Sequence, residues 1–286
     1  MPFPKVQDQH KPGKPLVPNC YGIFYVIPSV CYWFILVFLG IDEQRSLALA
    51  TSVLFGSTMG LFDDLVDLPW RYKAILPIFA SLPYMVLRPS DRTTIYSLLT
   101  GVIELGALFF LLLVPLITTV TVNTYNQLGG LNGLEAISGL IILCGLMAVS
   151  SNPILLGIPI VALAVLSYLS FRGIAFIGNV GSFSVGLTMA VYSILLNLKF
   201  FLLISLIPFI LNSVLILFSA FFLHERADTL MDDKGRLYSK SVRSLRTLIL
   251  RNRHMNEQRT VIVLCALVAL CVVLSIFIVK FVGSPL

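Results

Sequence analysis

Residues 260–282 read TVIVLCALVALCVVLSIFIVKFV, and this stretch decides the fold class of the chain. It holds a single charge, Lys280, and it exceeds the roughly 20 apolar residues that a helix needs to cross a bilayer. Over the whole 286-residue chain, 57% of residues are hydrophobic and 12% are charged, whereas a soluble domain is about a quarter charged. This excess of apolar residues predicts repeated transmembrane helices rather than one large soluble core.

Eight further apolar runs precede this one, so the sequence predicts an all-α, polytopic transmembrane helix bundle with about nine crossings. They lie at 21–40, 47–62, 74–87, 97–120, 134–149, 154–170, 180–198 and 200–223. The third run is short and contains Pro77 and Pro83, which predicts a kinked helix. We interpret residues 1–286 as one transmembrane domain, with a long basic loop at 224–259.

The basic residues are distributed unequally between the two sides of the predicted bundle. Nine crossings place the segments 1–20, 63–73, 121–133, 171–179 and 224–259 on one side, and these carry fifteen of the 20 Lys and Arg residues. The positive-inside rule makes this side cytosolic. Because the basic residues flank membrane helices, the net charge of +6 does not predict nucleic-acid binding.

An acidic motif, GLFDDLVDLPWRYK, follows the second run at residues 60–73. Asp63 and Asp64 are adjacent at a helix end where the dipole disfavours carboxylates, and their mutual repulsion adds to that cost. A magnesium ion would offset both the unfavourable dipole and the repulsion between the carboxylates, and Lys73 could then neutralise a phosphate charge. A solvated acidic turn stopped by Pro69 is the alternative interpretation.

Two glycine-rich loops also reach the cytosolic side. The first, NTYNQLGGLNGLE at residues 123–135, contains Asn123, Asn126, Asn132 and Glu135, and it leads into a helix whose free amides suit a phosphate or nucleotide. Glu135 could equally be a helix cap. The second, at residues 172–182, contains Asn179, which as an alternative caps the next helix.

The 224–259 loop begins with His224-Glu-Arg226 directly at the membrane end. Arg226 could bind a diphosphate by bidentate donation. The remaining cations of the loop are typical of an interfacial segment that faces lipid headgroups.

Together these four motifs resemble the polyprenyl-phosphate N-acetylhexosamine-1-phosphate transferases, and most of all the dolichyl-phosphate GlcNAc-phosphotransferase branch. The resemblance covers nearly the whole chain. It implies a magnesium-dependent enzyme at the cytosolic face that transfers a sugar phosphate from a UDP-N-acetylhexosamine to a polyprenyl or dolichyl phosphate and releases UMP. The implied membrane is the plasma membrane in a prokaryote and the endoplasmic reticulum in a eukaryote. A homodimer is a further expectation.

The resemblance also implies roles for single residues. Asp63 and Asp64 would serve the acceptor phosphate and the metal region as catalytic residues, and Asn126 and Asn179 would match metal ligands. The substrate-binding positions would be Lys73, Asn123, Asn132, Glu135, His224 and Arg226, with Asn132 beside the uridine.

Three features depart from the family pattern. Asn179 stands where the family has a metal-binding aspartate, and Asn19 stands where it has a glutamate near the nucleotide. The segment from Asp8 to Asn19 resembles the loop that follows the family's first helix, so either the start codon is misassigned or the protein has nine crossings. Because Asn179 lacks a carboxylate, a weakly active or inactive paralogue that binds nucleotide sugar, lipid phosphate or a partner is a second hypothesis. A transporter is a third, and Glu104 is its lone candidate for a polar group within the membrane.

Overall fold

The computed structural model describes residues 3–87, 93–97, 101–224 and 229–281, and this part of the chain is almost entirely helical. Its α-helices are α1 Ile23–Phe38, α2 Glu43–Val66, α3 Trp70–Ala80, α4 Leu82–Leu87, α5 Val114–Leu128, α6 Leu134–Val149, α7 Gly157–Phe171, α8 Gly178–Leu195, α9 Lys199–Ser205, α10 Ile207–Phe218, α11 Leu245–Leu250 and α12 Glu257–Phe281. The predicted all-α helix bundle is confirmed.

Three small antiparallel hairpins complete the described elements: β1 Lys5–Gln7 with β2 Leu16–Pro18, β3 Thr94–Ser97 with β4 Gly101–Glu104, and β5 Leu230–Met231 with β6 Leu237–Tyr238. A π-helical turn at Phe109–Leu113 leads into α5, a 3₁₀ turn at Pro153–Leu156 leads into α7, and a π-helical turn at Ser219–Leu223 extends α10.

Five helical segments are long and apolar enough to cross a membrane: Glu43–Val66, Phe109–Leu128, Pro153–Phe171, Gly178–Leu195 and Glu257–Phe281. A sixth span is formed if Lys199–Ser205 and Ile207–Leu223, which are bent by 56°, count as one. Helices α1 and α6 are apolar but shorter. The chain is an integral membrane protein, and its helix lengths do not establish the predicted count of nine crossings.

Besides the bent segment at 199–223, two predicted runs are not single helices in the structure. The run at 97–120 is not one helix, because its first part belongs to the β3–β4 hairpin. Glu104 therefore lies exposed in a strand, not within a membrane helix as predicted. The run at 74–87 is divided at Ser81 into α3 and α4, which agrees with the kink predicted from its prolines.

Helix α8 lies at the centre of the bundle, where every residue from Val180 to Leu195 is buried. It packs against α2, α5 and, less extensively, α6 and α1. Glycines allow close approach at its beginning: a Cβ on Gly22 would lie 2.2 Å from the Gly181 Cα, and one on Gly60 would lie 2.5 Å from the Asn179 carbonyl oxygen. The start of α8 is thereby held against the neighbouring helices at one end of the bundle.

Candidate active site

A cavity of about 340 Å³ lies at this end of the bundle, around the first turn of α8. The ends of α2, α5, α6 and α7 surround it, and all of them belong to the side that the sequence predicts to be cytosolic. Six residues singled out from the sequence line it: Asn19, Asp64, Asn126, Asn132, Glu135 and Asn179.

Asp64 caps the N-terminus of α8 from the neighbouring helix α2. Its Oδ1 accepts a hydrogen bond from the Asn179 amide at 2.8 Å, and its Oδ2 accepts one from the Val180 amide at 3.0 Å. These amides have no partner within their own helix, and the helix dipole favours an anion there. Asn19 adds a third bond to Oδ1 at 3.3 Å. Asp64 is thus held rigidly as a hydrogen-bond acceptor on the cavity wall.

Asp63 faces a different neighbour, because consecutive residues of a helix point about 100° apart. Its buried side chain forms an ion pair with Lys73, with Oδ1 and Nζ 2.9 Å apart. The Leu68 amide also donates to Oδ1, and Lys73 contacts the exposed Asp67 at 3.3 Å. The Asp63 Oδ2 is buried without a partner in the described structure. The two adjacent aspartates therefore have separate surroundings: Asp64 lines the cavity, whereas Asp63 and Lys73 form an ion pair and are not among its lining residues.

Asn126 and Asn179 present carboxamide side chains on the cavity lining. In the part of the chain that the structure describes, neither side chain has a hydrogen-bond partner. Asn123 does not join them: it donates to the Ala74 carbonyl oxygen at 3.1 Å and so links α5 to α3.

Glu135 lies in the first turn of α6, after Gly133 in the left-handed conformation. Its Oε1 accepts a hydrogen bond from Ser182 of α8 at 2.8 Å. A Cβ on Gly129 would lie 2.1 Å from that same oxygen, so the glycine-rich loop leaves room for the carboxylate. Tyr125 donates to the Glu135 carbonyl oxygen.

The β1–β2 hairpin forms a cavity wall that sequence reasoning missed. Gln7, Asp8, Gln9 and His10 line the cavity, and Asp8 Oδ2 accepts a hydrogen bond from Asn132 Nδ2 at 2.7 Å. The similarity of this segment to a loop of the family was the signal that could have revealed it. Because the sequence gives no partner for Asp8, this segment was interpreted only as a polar stretch before the first predicted membrane crossing.

The ligand atoms of Asp8, His10 and Glu257 lie within 4.8 Å of one another, a spacing that could suit a metal ion. However, Lys11 Nζ already contacts Asp8 at 3.2 Å. Burial, assisted by the nearby Arg246 guanidinium and opposed by Asp8, lowers the pKa of His10 to about 4. Protein cations thus supply the positive charge, and this cluster is better explained as an ion-pair network.

The donors on the other side of the cavity fit a divalent metal better. Asp64, Asn126, Glu135 and Asn179 can offer carboxylate and carboxamide oxygens, which are the ligands that hard cations prefer. Two of the four are carboxylates. His224 is exposed at the end of the π-helical turn, and Arg226 lies outside the described residues.

Comparison with known proteins identifies the family. The profile of glycosyl transferase family 4 matches residues 46–197. A Saccharolobus solfataricus protein, provisionally named a UDP-N-acetylglucosamine–dolichyl-phosphate N-acetylglucosaminephosphotransferase, is 27% identical over 94% of this chain and 86% of its own length. A Sulfolobus acidocaldarius protein with the same provisional name is 28% identical over 83% of this chain and 74% of its own. A Dictyostelium discoideum protein that carries this name without the qualifier is 33% identical over 31% of this chain and 24% of its own. The family profile begins to match within α2 and ends just beyond α8, and these are the two helices that meet at Asp64. Because this match covers more than half of the chain, the chain belongs to glycosyl transferase family 4.

Proposed function

We propose that this protein transfers N-acetylglucosamine 1-phosphate from UDP-N-acetylglucosamine to a dolichyl-type polyprenyl phosphate. An oxygen of the lipid phosphate attacks the sugar-bearing phosphorus of the donor, the bond from that phosphorus to the bridging oxygen breaks, and UMP leaves with that oxygen. The products are UMP and a lipid-linked diphosphate sugar. The names of the archaeal and Dictyostelium relatives support this donor and this acceptor.

The observation that carries the proposal is the oxygen-lined cavity at the end of the bundle where α2 meets α8. A lipid phosphate can reach this end from the bilayer while a water-soluble nucleotide sugar enters from the cytosol. Phosphoryl transfer asks a protein mainly for positioning and charge neutralisation, not for covalent chemistry. A cavity with rigid carboxylates and free amides meets that demand.

Asp64 forms part of the cavity wall, and its bonds to the α8 amides fix its position. We assign it to the acceptor phosphate and the metal region. Asp63 forms an ion pair with Lys73, and we assign Lys73 to the neutralisation of donor diphosphate charge. Asn123 serves this arrangement through its bond to α3 and not by contact with the cavity.

Asp64, Asn126, Glu135 and Asn179 would hold a divalent cation, and we propose magnesium. When bound, it supplies charge neutralisation to the phosphate oxygens. Asn179 donates its main-chain amide to Asp64 and leaves its carboxamide to the cavity, so an aspartate at this position would add a charge without a new fold. Arg226 and His224, at the entry of the basic loop, would complete the diphosphate site on the cytosolic face.

The experiment is UMP release from UDP-N-acetylglucosamine with dolichyl phosphate and magnesium, in membranes that lack the endogenous activity. We expect turnover in wild type and a turnover that is lower by at least about 10²-fold in Asp64→Asn. The reason is that the NH₂ group of the new asparagine would face the Val180 N–H, so two donors would meet where a donor and an acceptor meet now. Asp233→Asn, an exposed aspartate of the basic loop, is the matched control and should retain activity.

Other outcomes separate the remaining hypotheses. A silent wild type that becomes active as Asn179→Asp would identify a degenerate paralogue. If neither the wild type nor Asn179→Asp releases UMP although both proteins are well folded, the proposal is overturned.

A further inference from the structure

Asn132 is held by two carboxylates that come from opposite ends of the chain. Its main-chain amide donates to Glu257 Oε1 at 2.9 Å, and its side-chain Nδ2 donates to Asp8 Oδ2 at 2.7 Å. Asn132 is 6% exposed and Asp8 is 2% exposed. The following amide, of Gly133, donates to Ser170 at 3.1 Å. The backbone and side chain of Asn132 are therefore both fixed.

The bond to Asp8 determines which end of the carboxamide faces the cavity. An ionised carboxylate only accepts hydrogen bonds, so Asn132 must turn its NH₂ group, and not its oxygen, towards Asp8. Lys11 Nζ lies 3.2 Å from Asp8 Oδ2 and forms an ion pair with this carboxylate. Among the described residues, none donates a hydrogen bond to Asn132 Oδ1, and Asn132 lines the cavity. This oxygen is left as an acceptor for a ligand.

We infer that Asp8 is a positioning residue that fixes Asn132 as a hydrogen-bond acceptor and so selects a nucleobase that presents an N–H donor. The inference rests on the proposed function, in which the donor carries uracil. Uracil has an imide N3–H between its two carbonyl groups. Cytosine has an unprotonated N3 at this position, so two hydrogen-bond acceptors, its N3 and Asn132 Oδ1, would face each other without a proton between them.

The contrast between the bases should be large because the Asn132 amide cannot rotate to suit the wrong one. A site that is built to hydrogen-bond a group discriminates strongly against a ligand that leaves it unmatched. Replacing Asp8 by asparagine removes this restriction, since an amide at position 8 can donate or accept. Asn132 could then present either end to the cavity.

The test measures inhibition of labelled sugar-phosphate transfer to dolichyl phosphate by UMP and by CMP. We expect wild type to prefer UMP by at least about tenfold, and we expect Asp8→Asn to lose most of that preference. Its KM for UDP-N-acetylglucosamine should rise while its kcat at saturating donor stays near the wild-type value. A generally damaged hairpin would instead lower kcat and leave the ratio of the two inhibition constants unchanged.

Lys11→Gln is the matched control, because it removes the ion pair and retains the acceptor-only carboxylate. It should keep the preference for UMP within about threefold of wild type. Asn132→Ala, which deletes the acceptor and leaves Asp8 in place, provides an independent variant if Asp8→Asn does not fold. A wild-type preference in folded Asp8→Asn or Asn132→Ala would overturn the inference. A wild type that binds neither nucleotide would overturn the proposed function itself.

Discussion

Replacing Gly60 by alanine tests whether the close contact between α2 and α8 positions the site. A Cβ on Gly60 would lie 2.5 Å from the Asn179 carbonyl oxygen and 2.8 Å from the Val180 Cα, and ordinary contacts begin at 3.4 Å. Both neighbours are backbone atoms, so no side-chain rotation can relieve the overlap. The helices must separate by somewhat less than 1 Å beside the bonds from Asp64 to α8.

This displacement should affect activity more than stability. Overpacking costs about 1–3 kcal/mol, but alanine regains about 1 kcal/mol of helix propensity over glycine, which leaves a net loss of about 0–2 kcal/mol. The bonds of 2.8 and 3.0 Å from the Asn179 and Val180 amides would lengthen past a useful distance. A misplacement of about 1 Å in a catalytic site can lower the rate on the order of 10²-fold.

The assay is UMP release per folded molecule, with thermal unfolding in detergent measured on the same preparations. Gly56→Ala is the control from the same helix, because its Cβ would meet the end of the flexible Leu187 side chain at 1.8 Å, away from Asp64. It should lose stability and keep turnover within about threefold. A folded Gly60→Ala protein with wild-type turnover would refute this reasoning.

Three further predictions concern charge. Lys73→Met leaves the buried Asp63 carboxylate without its ion pair and should destabilise the protein by about 1–3 kcal/mol, a range kept low because Lys73 is partly exposed. In thermal unfolding, the double variant Lys73→Met with Asp63→Asn should recover most of the lost stability. The folded-state pKa of His10, about 4, lies below its ordinary 6.5, so the unfolded chain binds a proton first and stability should fall as pH drops from 6.5 towards 4. His10→Gln should flatten that dependence, and an equal slope in both proteins would contradict it. Asn179→Asp adds a carboxylate beside Asp64 and should lower the magnesium concentration for half-maximal UMP release by about tenfold, a shift that a magnesium titration measures directly.

The sequence predicted the helices well because a membrane span is recorded in composition over a long window. It failed at residues 97–120, where an apolar run does not reveal where a helix begins. The strands TIYS and GVIE at the start of that region hold β-branched and aromatic residues, which also suit a hairpin. The bend between α9 and α10 was likewise hidden inside one apolar run.

For the site, the sequence identified residue types and helix ends but not partners. Adjacent letters suggested that Asp63 and Asp64 act together, whereas helix geometry directs one to Lys73 and the other to α8. Asp8 was missed because its partner, Asn132, is 124 residues away, and such a contact leaves no trace in local pattern. The roles of the individual site residues stay predictions that the variants above test.

The two contacts that hold Asn132, one from Asp8 and one from Glu257, have a consequence for biogenesis. Glu257 begins the last helix, and the contact partners along the chain are separated by 124 and 125 residues. A ribosome that has synthesised the chain only as far as α11 has thus delivered Asp8 and Asn132 but not Glu257. These contacts are complete only when α12 has been inserted, so a chain that is truncated before that helix should enter the bilayer without a fixed Asn132.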